Sequence, residues 1–532
     1  MYYILSKRIK NLFIITGMLL ILCMASDLLA EVKVAQIFGD NMLLQRDIPV
    51  QIWGWADEGE KVTVSFNGQE QSVTADKNGK WLLKLSPMKA NKTPSQLTIT
   101  GTNKLILKNI LIGDVWICSG QSNMQMSLNQ VIQGAKEVAE ANYPTIRLMT
   151  VPRKGSDFLV DDIKVQWYEC SPKTSAGFSA AGYFFARKLV KELDVPIGLI
   201  SANWGGTRIE PWISPEGYRL VPEQKQMSNI IDSNLPTTAE GNIKYQKFMS
   251  EMTIWMEKAQ IAVAKKENMP AMPLQPGKMN SHQDPTKLFN SIIHPLIPFA
   301  IRGVLWYQGE SNGGEGMSYF NKTQALIKGW RQLWNQGDFP FYFVQLANWK
   351  QPNPHSPAGA FGWARCREAQ RKSLTIPNTG MSVTIDIGDP VNIHPKNKQD
   401  VGNRLALWAL AKEFKKDVVF SGPLYKEMKI EGDKIRIFFD NTGSGLMIAQ
   451  KTGLEPVVEA KNGKIKFISI MGKDNVWHWA DLVIDGDTIV VSCDEVKEPL
   501  AVRYCYTMDP TGPFLYNKEG LPASPFKTGK LL

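Results

Sequence analysis

The chain has 532 residues, more than one compact domain usually holds, so we expect two or three domains. Hydrophobic residues make up 43% of the sequence and 16 residues are tryptophan, which excludes a disordered or low-complexity chain. The formal charge of +10 is a moderate surplus. It comes without a basic run or basic residues interleaved with aromatic ones, so we expect no nucleic-acid partner.

The first 30 residues are typical of an export signal peptide. The basic residues Lys7, Arg8 and Lys10 come first and are followed by an apolar run at 12–24. The small residue Ala30 then offers a plausible cleavage point. The apolar run is shorter than the roughly 20 residues that cross a bilayer, so we expect no membrane span in the mature chain. Lipid attachment at Cys23 is a less favoured alternative, because Leu22 stands where a small residue is usual. The pattern predicts a periplasmic, extracellular or cell-surface protein.

Residues 31–110 show strand-like alternation and predict an N-terminal β-sandwich. Val62, Val64 and Phe66 alternate with polar residues and run into Asn67-Gly68, a strong signal for a tight hairpin turn.

Residues 111–417 alternate between short apolar runs and helical patterns, which predicts a parallel sheet flanked by helices in an α/β domain. The runs of strand length are 111–118, 197–203, 301–306, 341–347 and 381–386. The polar, Met- and Pro-rich stretch 214–290 fits this alternation poorly. We interpret it as an insertion that contains a helix near 247–265 and helps to wall the site.

Residues 418–532 return to β-type alternation and predict a C-terminal β-rich region. Five cysteines follow the signal segment, and no pair of them has metal-ligand spacing, so we expect no metal. Buried free thiols are the favoured interpretation. A disulfide between Cys493 and Cys505 stays open.

Ser122 lies in a polar turn, Gly120-Gln121-Ser122-Asn123, that directly follows an apolar strand. In a parallel sheet, this position is at the carboxyl end of the strand, where ligands bind. A serine near backbone amides there could serve as a nucleophile. Such a turn taken alone is weak evidence, because serine is common in turns.

Two further strand ends strengthen this interpretation. The second predicted strand runs into Gly205 and Gly206, and the third is followed by Gln308, Glu310 and Asn312. Glycine lets a backbone amide approach a ligand closely, and amide side chains can donate hydrogen bonds. Three such strand ends are what an oxyanion hole built from several loops requires.

A serine nucleophile needs a base, and topology selects one of the five histidines. His394 follows the last predicted strand and precedes a helix, so it lies at the same edge of the sheet as Ser122. His294 stands in apolar sequence and is predicted to be a core histidine. The other three, His282, His355 and His478, lie in irregular or terminal β segments.

Several ordered segments together resemble the sialate O-acetylesterase family of SGNH-type hydrolases, a class that also includes acetyl-xylan esterases. They are Gly120-Gln121-Ser122-Asn123-Met124, Trp204-Gly205-Gly206-Thr207, Trp306-Tyr307-Gln308-Gly309-Glu310-Ser311-Asn312, Ile393-His394-Pro395-Lys396 and Arg404-Leu405-Ala406. The resemblance covers essentially the whole mature chain. It implies an SGNH-like α/β fold and a carbohydrate esterase without cofactors.

The resemblance also implies roles for individual residues. Ser122 would attack the acetyl carbonyl and His394 would accept its proton. The oxyanion hole would be lined by the Ser122 amide, a glycine amide from Gly205 and Gly206, and the Asn312 side chain. The supporting or substrate-binding residues would be Gln121, Gln308 and Glu310.

The third residue of the triad is not settled by the resemblance. Many SGNH enzymes carry an aspartate three residues before the histidine, where this chain has Val391. Asp389, which we favour, or Asp386 could orient the imidazole instead. A Ser-His dyad held by a backbone carbonyl is the remaining possibility.

The sequence thus predicts an exported sialate O-acetylesterase that acts through a serine acyl-enzyme on an O-acetylated sugar or glycan. Acetylated xylan or another polysaccharide is the alternative substrate. A non-catalytic carbohydrate-binding protein is the alternative of another class, but such a protein has no use for a serine-imidazole pair.

Overall fold

The structure is a computed structural model that describes residues 31–278, 280–350, 356–360 and 362–529. The predicted signal peptide and the predicted position of His355 lie outside the described residues. Within these ranges, no helix is long and apolar enough to cross a membrane.

The N-terminal region is built from β-strands, as the alternation predicts. The strands are β1 (Lys33–Val34), β2 (Leu43–Gln45), β3 (Val50–Trp55), β4 (Lys61–Phe66), β5 (Gln69–Thr74), β6 (Lys80–Leu85) and β7 (Asn91–Thr100). Val62, Val64 and Phe66 are buried on one face of β4. Asn67 and Gly68 both have positive φ angles, 50° and 75°, which a two-residue hairpin turn requires.

A mixed sheet forms the centre of the molecule, and its core is parallel. Its strands are β8 (Lys104–Gly120), β9 (Tyr143–Thr150), β10 (Trp167–Cys170), β11 (Ile197–Asn203), β12 (Gly303–Tyr307), β13 (Phe341–Val344) and β14 (Thr379–Ser382). They lie in the order β10–β9–β11–β8–β12–β13–β14, and β10 is an antiparallel edge strand.

The strand β8 is longer than the sequence predicts. It begins seven residues before the predicted domain boundary at residue 111, where it pairs antiparallel with β7, and then continues as the middle of the parallel sheet. One strand therefore belongs to both the N-terminal β region and the central sheet.

Helices cover both faces of the central sheet. They are α1 (Ser122–Gln125), α2 (Gly134–Glu140), α3 (Pro172–Ser175), α4 (Ala180–Leu193), α5 (Pro215–Arg219), α6 (Lys225–Asp232), α7 (Ala239–Lys265), α8 (Ser318–Trp334), α9 (Trp363–Lys372) and α10 (Lys398–Lys412). On one face, α4 and α10 bury Phe184 and Leu405 with Trp116 of β8. On the other face, α8 buries Trp330 against Trp306.

The stretch 214–290 is more helical than the sequence predicts, because it contains α5, α6 and the whole of α7. Its last part contacts the loop after β11: the side chain of Gln283 donates to the Gly206 carbonyl at 2.9 Å, and His282 stacks on Trp204. This segment therefore buttresses one of the loops at the predicted site.

The C-terminal region is β-rich, as predicted. Its strands are β15 (Leu424–Glu431), β16 (Lys434–Asp440), β17 (Leu446–Gln450), β18 (Val458–Glu459), β19 (Ile468–Gly472), β20 (Trp477–Trp479), β21 (Asp481–Asp485), β22 (Thr488–Ser492), β23 (Pro499–Tyr504), β24 (Phe514–Asn517) and β25 (Phe526–Lys527). Cys493 and Cys505 are free thiols, so the disulfide that the sequence left open is not formed.

Candidate active site

Three parallel strands end at the same level and bring their following loops together. Gly120 at the end of β8 is in register with Asn203 of β11 and with Tyr307 of β12. Gly120 has a φ of +132°, and a Cβ there would lie 2.2 Å from the Tyr307 carbonyl oxygen. Only glycine fits this position, so the chain can turn sharply into Ser122.

Ser122 and His394 meet at this edge of the sheet. Nε2 of His394 lies 2.8 Å from Oγ of Ser122, which is hydrogen-bonding distance. Ser122 is the first residue of α1, and His394 lies in the loop between β14 and α10. The backbone N–H of His394 donates to Asn392 Oδ1 at 2.9 Å, which shapes this loop. A serine hydroxyl hydrogen-bonded to an imidazole is the arrangement of a nucleophile and its base.

The surroundings of His394 favour the neutral imidazole. Partial burial, and then the positive charge of Lys398, hold the pKa of His394 below its ordinary value. Within the described residues, the His394 imidazole donates no hydrogen bond to the carboxylate of Asp389 or Asp386. The Asp389 carboxylate instead accepts the backbone N–H groups of Val391 and Asn392, which closes a turn.

Asp386 is committed to a different partner. Its fully buried carboxylate forms a two-point ion pair with Arg404 of α10, with both N–O distances at 2.7 Å. The Tyr516 hydroxyl donates to the same carboxylate at 3.1 Å. Neither aspartate considered from the sequence is therefore hydrogen-bonded to the imidazole among the described residues.

Gly205 lies directly beside the serine. A Cβ at Gly205 would come within 3.4 Å of the Ser122 Cβ, and the Gly205 N–H donates to Gln125 Oε1 at 2.7 Å. The neighbouring Gly206 is exposed, and its carbonyl accepts the Ser311 hydroxyl at 3.1 Å. A glycine N–H thus lies next to Ser122, and it donates its hydrogen bond to the side-chain oxygen of Gln125.

Asn312 differs from the expectation that it donates into the oxyanion hole. Its two amide N–H bonds point at the carboxylates of Glu210 and Glu315, at 3.0 and 2.8 Å, and its oxygen accepts the Ile209 N–H. A primary amide has only two N–H bonds, so none remains to face Ser122 in this arrangement. The buried Asn312 instead ties the loop after β12 to the segment after β11.

The other predicted support residues form a buried layer beneath the serine turn. Gln308 donates to Gln121 Oε1 at 3.1 Å and to Asn312 Oδ1 at 2.8 Å, and accepts the Tyr319 hydroxyl at 2.8 Å. Glu310 accepts a hydrogen bond from Asn123. Gln121 and Gln308 are buried, and their hydrogen bond joins the serine turn to the loop after β12.

Asn123 and Lys398 also belong to this buried layer, and neither was predicted from the sequence as a site residue. Asn123, next to the nucleophile, donates to the Ile393 carbonyl at 3.0 Å and accepts from the Lys398 ammonium at 2.7 Å. Lys398 is the first residue of α10 and is fully buried. A lysine at a helix start is usually solvated. His394 lies in the loop before this helix, so no helical spacing relates it to Lys398 and the sequence carries no local signal of these contacts.

An open cavity of about 810 Å³ leads to the pair. Ser122, Gly205 and His394 lie in its wall, together with the cationic residues Arg153 and Lys396. None of the described residues that line it is an aspartate or glutamate. A sugar-sized ligand fits this volume, and its charge environment favours an anion.

The described residues include one group that could hold a metal ion, away from this cavity in the C-terminal region. His478, Cys493 and Glu495 have potential ligand atoms within 4.8 Å of one another. Glu495 and His478 already pair at 2.6 Å, and Glu495 is largely exposed. The group does not include any residue of the serine-histidine site.

Comparisons with known proteins find a family model and relatives that match more than half of the chain. The family model for carbohydrate esterases described as sialic acid-specific acetylesterase matches residues 112–263 and 274–411, which is more than half of the chain. A sialate O-acetylesterase from Rattus norvegicus is 31% identical over 453 residues, which is 75% of this chain and 77% of that protein. The sialate O-acetylesterase from Homo sapiens is 29% identical and covers 96% of both chains.

A solved structure extends the similarity to the whole fold. A carbohydrate acetylesterase from Xanthomonas citri superposes with a TM-score of 0.76 at 33% identity, covering 94% of this chain and all of that chain. The residue ranges that the family model matches span the positions of Ser122, Gly205, Asn312 and His394. The chain therefore belongs to the sialic acid-specific acetylesterase family of carbohydrate esterases and is a carboxylic ester hydrolase with an α/β esterase-like fold.

Proposed function

We propose that this enzyme is an exported sialate O-acetylesterase of the SGNH type that works through an acetyl-Ser122 intermediate. The observation that carries the mechanism is the 2.8 Å contact between Ser122 Oγ and His394 Nε2 in the wall of a sugar-sized cavity. Export is supported by the basic, apolar and small-residue order of the first 30 residues.

The reaction proceeds in two acyl-transfer steps. Ser122 Oγ attacks the acetyl carbonyl carbon while His394 Nε2 accepts the hydroxyl proton. The imidazolium then gives this proton to the sugar oxygen as the ester bond breaks. Water, deprotonated by His394, then attacks the acetyl-serine carbonyl. The imidazolium returns this proton to Ser122 Oγ as the acyl bond breaks, and acetate leaves.

The oxyanion of each tetrahedral intermediate is stabilised by backbone amides. The Ser122 N–H and the Gly205 N–H are the proposed donors. For Gly205 to serve, the acyl oxygen replaces Gln125 Oε1, which accepts this N–H at 2.7 Å. The Gln125 side chain therefore moves aside when substrate binds, and Asn312 supports the loop after β12.

The charge of the cavity favours a sialic acid as the sugar. Sialic acids carry a carboxylate, whereas the xylose units of acetylated xylan are neutral. Arg153 and Lys396 line the cavity. The Arg153 Nε donates to the Asn203 carbonyl at 3.3 Å, and no other described residue accepts a hydrogen bond from its two terminal nitrogens. Both can therefore bind a carboxylate.

Acetate release from O-acetylated sialic acid and from acetylated xylan tests this proposal. We expect the wild-type protein to prefer the sialate ester. Ser122→Ala and His394→Ala are expected to lose activity by at least about 1000-fold, because each removes one partner of the reacting pair. Ser492→Ala and His478→Ala, in the C-terminal β region, are the matched controls and should keep wild-type rates.

The possible outcomes separate the alternatives. Preference for acetylated xylan would keep the serine mechanism but replace the substrate. A folded wild-type protein that releases no acetate from either ester would contradict the proposed function. Full activity in Ser122→Ala would contradict the assignment of the nucleophile.

A further inference from the structure

A buried polar chain lies behind the Ser122–His394 pair. Lys398 Nζ donates to Asn123 Oδ1 and to the Pro395 carbonyl, both at 2.7 Å. Asn123 in turn donates to Glu310 and to the Ile393 carbonyl. The chain thus joins the residue after the nucleophile to the residues on both sides of His394.

We propose that Lys398 is a positioning residue for His394, acting as a buried cation that fixes the histidine loop to the serine turn through Asn123. This inference rests on the proposed role of His394 as the catalytic base. It extends that role to a residue that does not touch the substrate.

The geometry gives Lys398 control over the position of the imidazole. Ile393 and Pro395 are the sequence neighbours of His394. The Ile393 carbonyl accepts a hydrogen bond from Asn123, and the Pro395 carbonyl accepts one from Lys398. With the backbone anchored on either side, the ring has little freedom to move from Ser122. A displacement of about 1 Å at such a pair lowers the rate by about 100-fold.

The groups around Lys398 determine its charge. Glu310 and the Tyr307 ring face Lys398 from the end of β12. Asn123 faces it from α1, and His394 faces it from the loop that precedes α10. Burial lowers the pKa of Lys398 to about 7, although the negative charge of Glu310 opposes this. Burial also raises the pKa of Glu310, against its own backbone hydrogen bond, the bond from Asn123 and the charge of Lys398. Lys398 is therefore protonated on the acid side of neutrality, the range in which His394 titrates.

The charge and the hydrogen bonds of Lys398 have separable effects. A neutral amine keeps two N–H bonds, enough for its two acceptors, so positioning persists when the proton is lost. The positive charge repels a proton on His394 and keeps the imidazole neutral in mild acid. A residue of merely structural importance would have no such effect on the titration of the base.

Variants of Lys398 test the proposal with a neutral ester, 4-nitrophenyl acetate, so that ionisation of the substrate does not enter. In Lys398→Met we expect kcat to fall about 10- to 100-fold and the acid limb of the kcat/KM profile to move to higher pH. Lys398→Gln keeps a donor without the charge, so it should show the same shift of the acid limb with a smaller loss of kcat. If Lys398→Met does not fold, this second variant tests the charge.

Lys412→Met removes an exposed lysine from the other end of α10 and is the matched control. Its acid limb should coincide with that of the wild type. An unchanged acid limb in a folded Lys398→Met or Lys398→Gln variant would overturn the proposal, even if kcat fell. The wild type and Ser122→Ala, assayed alongside, separate this outcome from failure of the proposed function, in which the wild type itself would not hydrolyse the ester.

Discussion

At the scale of single residues, the charges near His394 act in the direction opposite to that of a carboxylate triad. An adjacent carboxylate stabilises the imidazolium and raises the pKa of a histidine. Here burial and Lys398 lower the pKa of His394. The base is consequently available for proton abstraction in more acidic solution than an exposed histidine, and it releases its proton readily to the leaving sugar oxygen.

The first prediction concerns pH. Because His394 must be neutral to accept the proton of Ser122, a lowered pKa keeps the enzyme active as the pH falls below the ordinary imidazole value of about 6.5. Measurement of kcat/KM from pH 4 to 9, in a buffer series of constant ionic strength, checks this. A midpoint of the acid limb at or above about 7 would show that a carboxylate, not Lys398, dominates the field at His394.

The second prediction concerns the anionic substrate. Removal of the Arg153 side chain in Arg153→Ala should raise KM for O-acetylated sialic acid about tenfold or more, the usual cost of a lost charge-assisted hydrogen bond. The effect on 4-nitrophenyl acetate should be much smaller, because this ester lacks a carboxylate. Arg153→Lys retains the charge and should recover part of the affinity. Equal losses for both esters would argue against carboxylate recognition.

Residue chemistry and topology together predicted the Ser122–His394 pair from sequence. Both residues follow strands of one parallel sheet, and such strand ends share an edge. The role of Asn312 was less accessible, because it depends on Glu210 and Glu315, whose carboxylates take both of its N–H bonds. Nothing local in the sequence marks those contacts.

At the scale of elements, α10 connects the histidine loop to the sheet. The helix begins at Lys398 and carries Arg404, whose guanidinium pairs with Asp386 and also donates to the Val383 carbonyl at 2.7 Å. Both partners are almost completely buried. The loop that carries His394 is thus bounded by one buried ion pair and one buried lysine.

The third prediction is that Arg404→Met destabilises the protein by about 3–5 kcal/mol, because among the described residues it leaves the buried Asp386 charge with only the Tyr516 hydroxyl as a donor. Denaturant unfolding measures this free energy. Lys464→Met breaks an ion pair with Asp481 whose partners are 84% and 76% exposed, and it should leave the unfolding curve unchanged. Similar curves for both variants would mean that the Arg404 pair does not stabilise the fold.

Periodicity predicts regular elements well where one face is buried, as in β4 and β6, whose buried and exposed residues alternate. The start of β8 was missed because its first residues, from Lys104, pair with β7 while its last residues are covered on both faces. The alternation therefore changes to a continuous apolar run within one strand, and the change resembles a domain boundary.

At the scale of the whole molecule, the N-terminal β region and the central sheet share more than a strand. Asp114 of β8 is fully buried and forms two ion pairs, each at 2.8 Å. Its partners are Arg46 of the N-terminal region and Arg302, the residue that precedes β12. The Gln45 side chain accepts the Val115 N–H at 2.8 Å. Such contacts between distant residues leave no pattern in the sequence. The domain boundaries, which depend on them, were therefore the hardest feature to predict from the sequence.

The fourth prediction follows from this shared core. Deletion of residues 31–103 should prevent the remaining chain from folding, because it exposes the apolar face of β8 and removes Arg46 from Asp114. For the full mature chain we expect the N-terminal region and the central sheet to unfold in one calorimetric transition. A truncated chain that folds and hydrolyses esters would show that the two parts are independent.

Covalent labelling tests whether Ser122 is a nucleophile that His394 activates. The nucleophile attacks the phosphorus of a 4-nitrophenyl phosphonate ester and displaces 4-nitrophenoxide, which leaves a phosphonyl adduct that mimics the tetrahedral intermediate. Mass spectrometry of the digested protein locates this label. We expect a single phosphonyl group on the Ser122 peptide, loss of esterase activity in proportion to labelling, and labelling at least about 100-fold slower in His394→Ala. Complete inactivation with the label on another residue, or equal labelling rates with and without His394, would contradict the account.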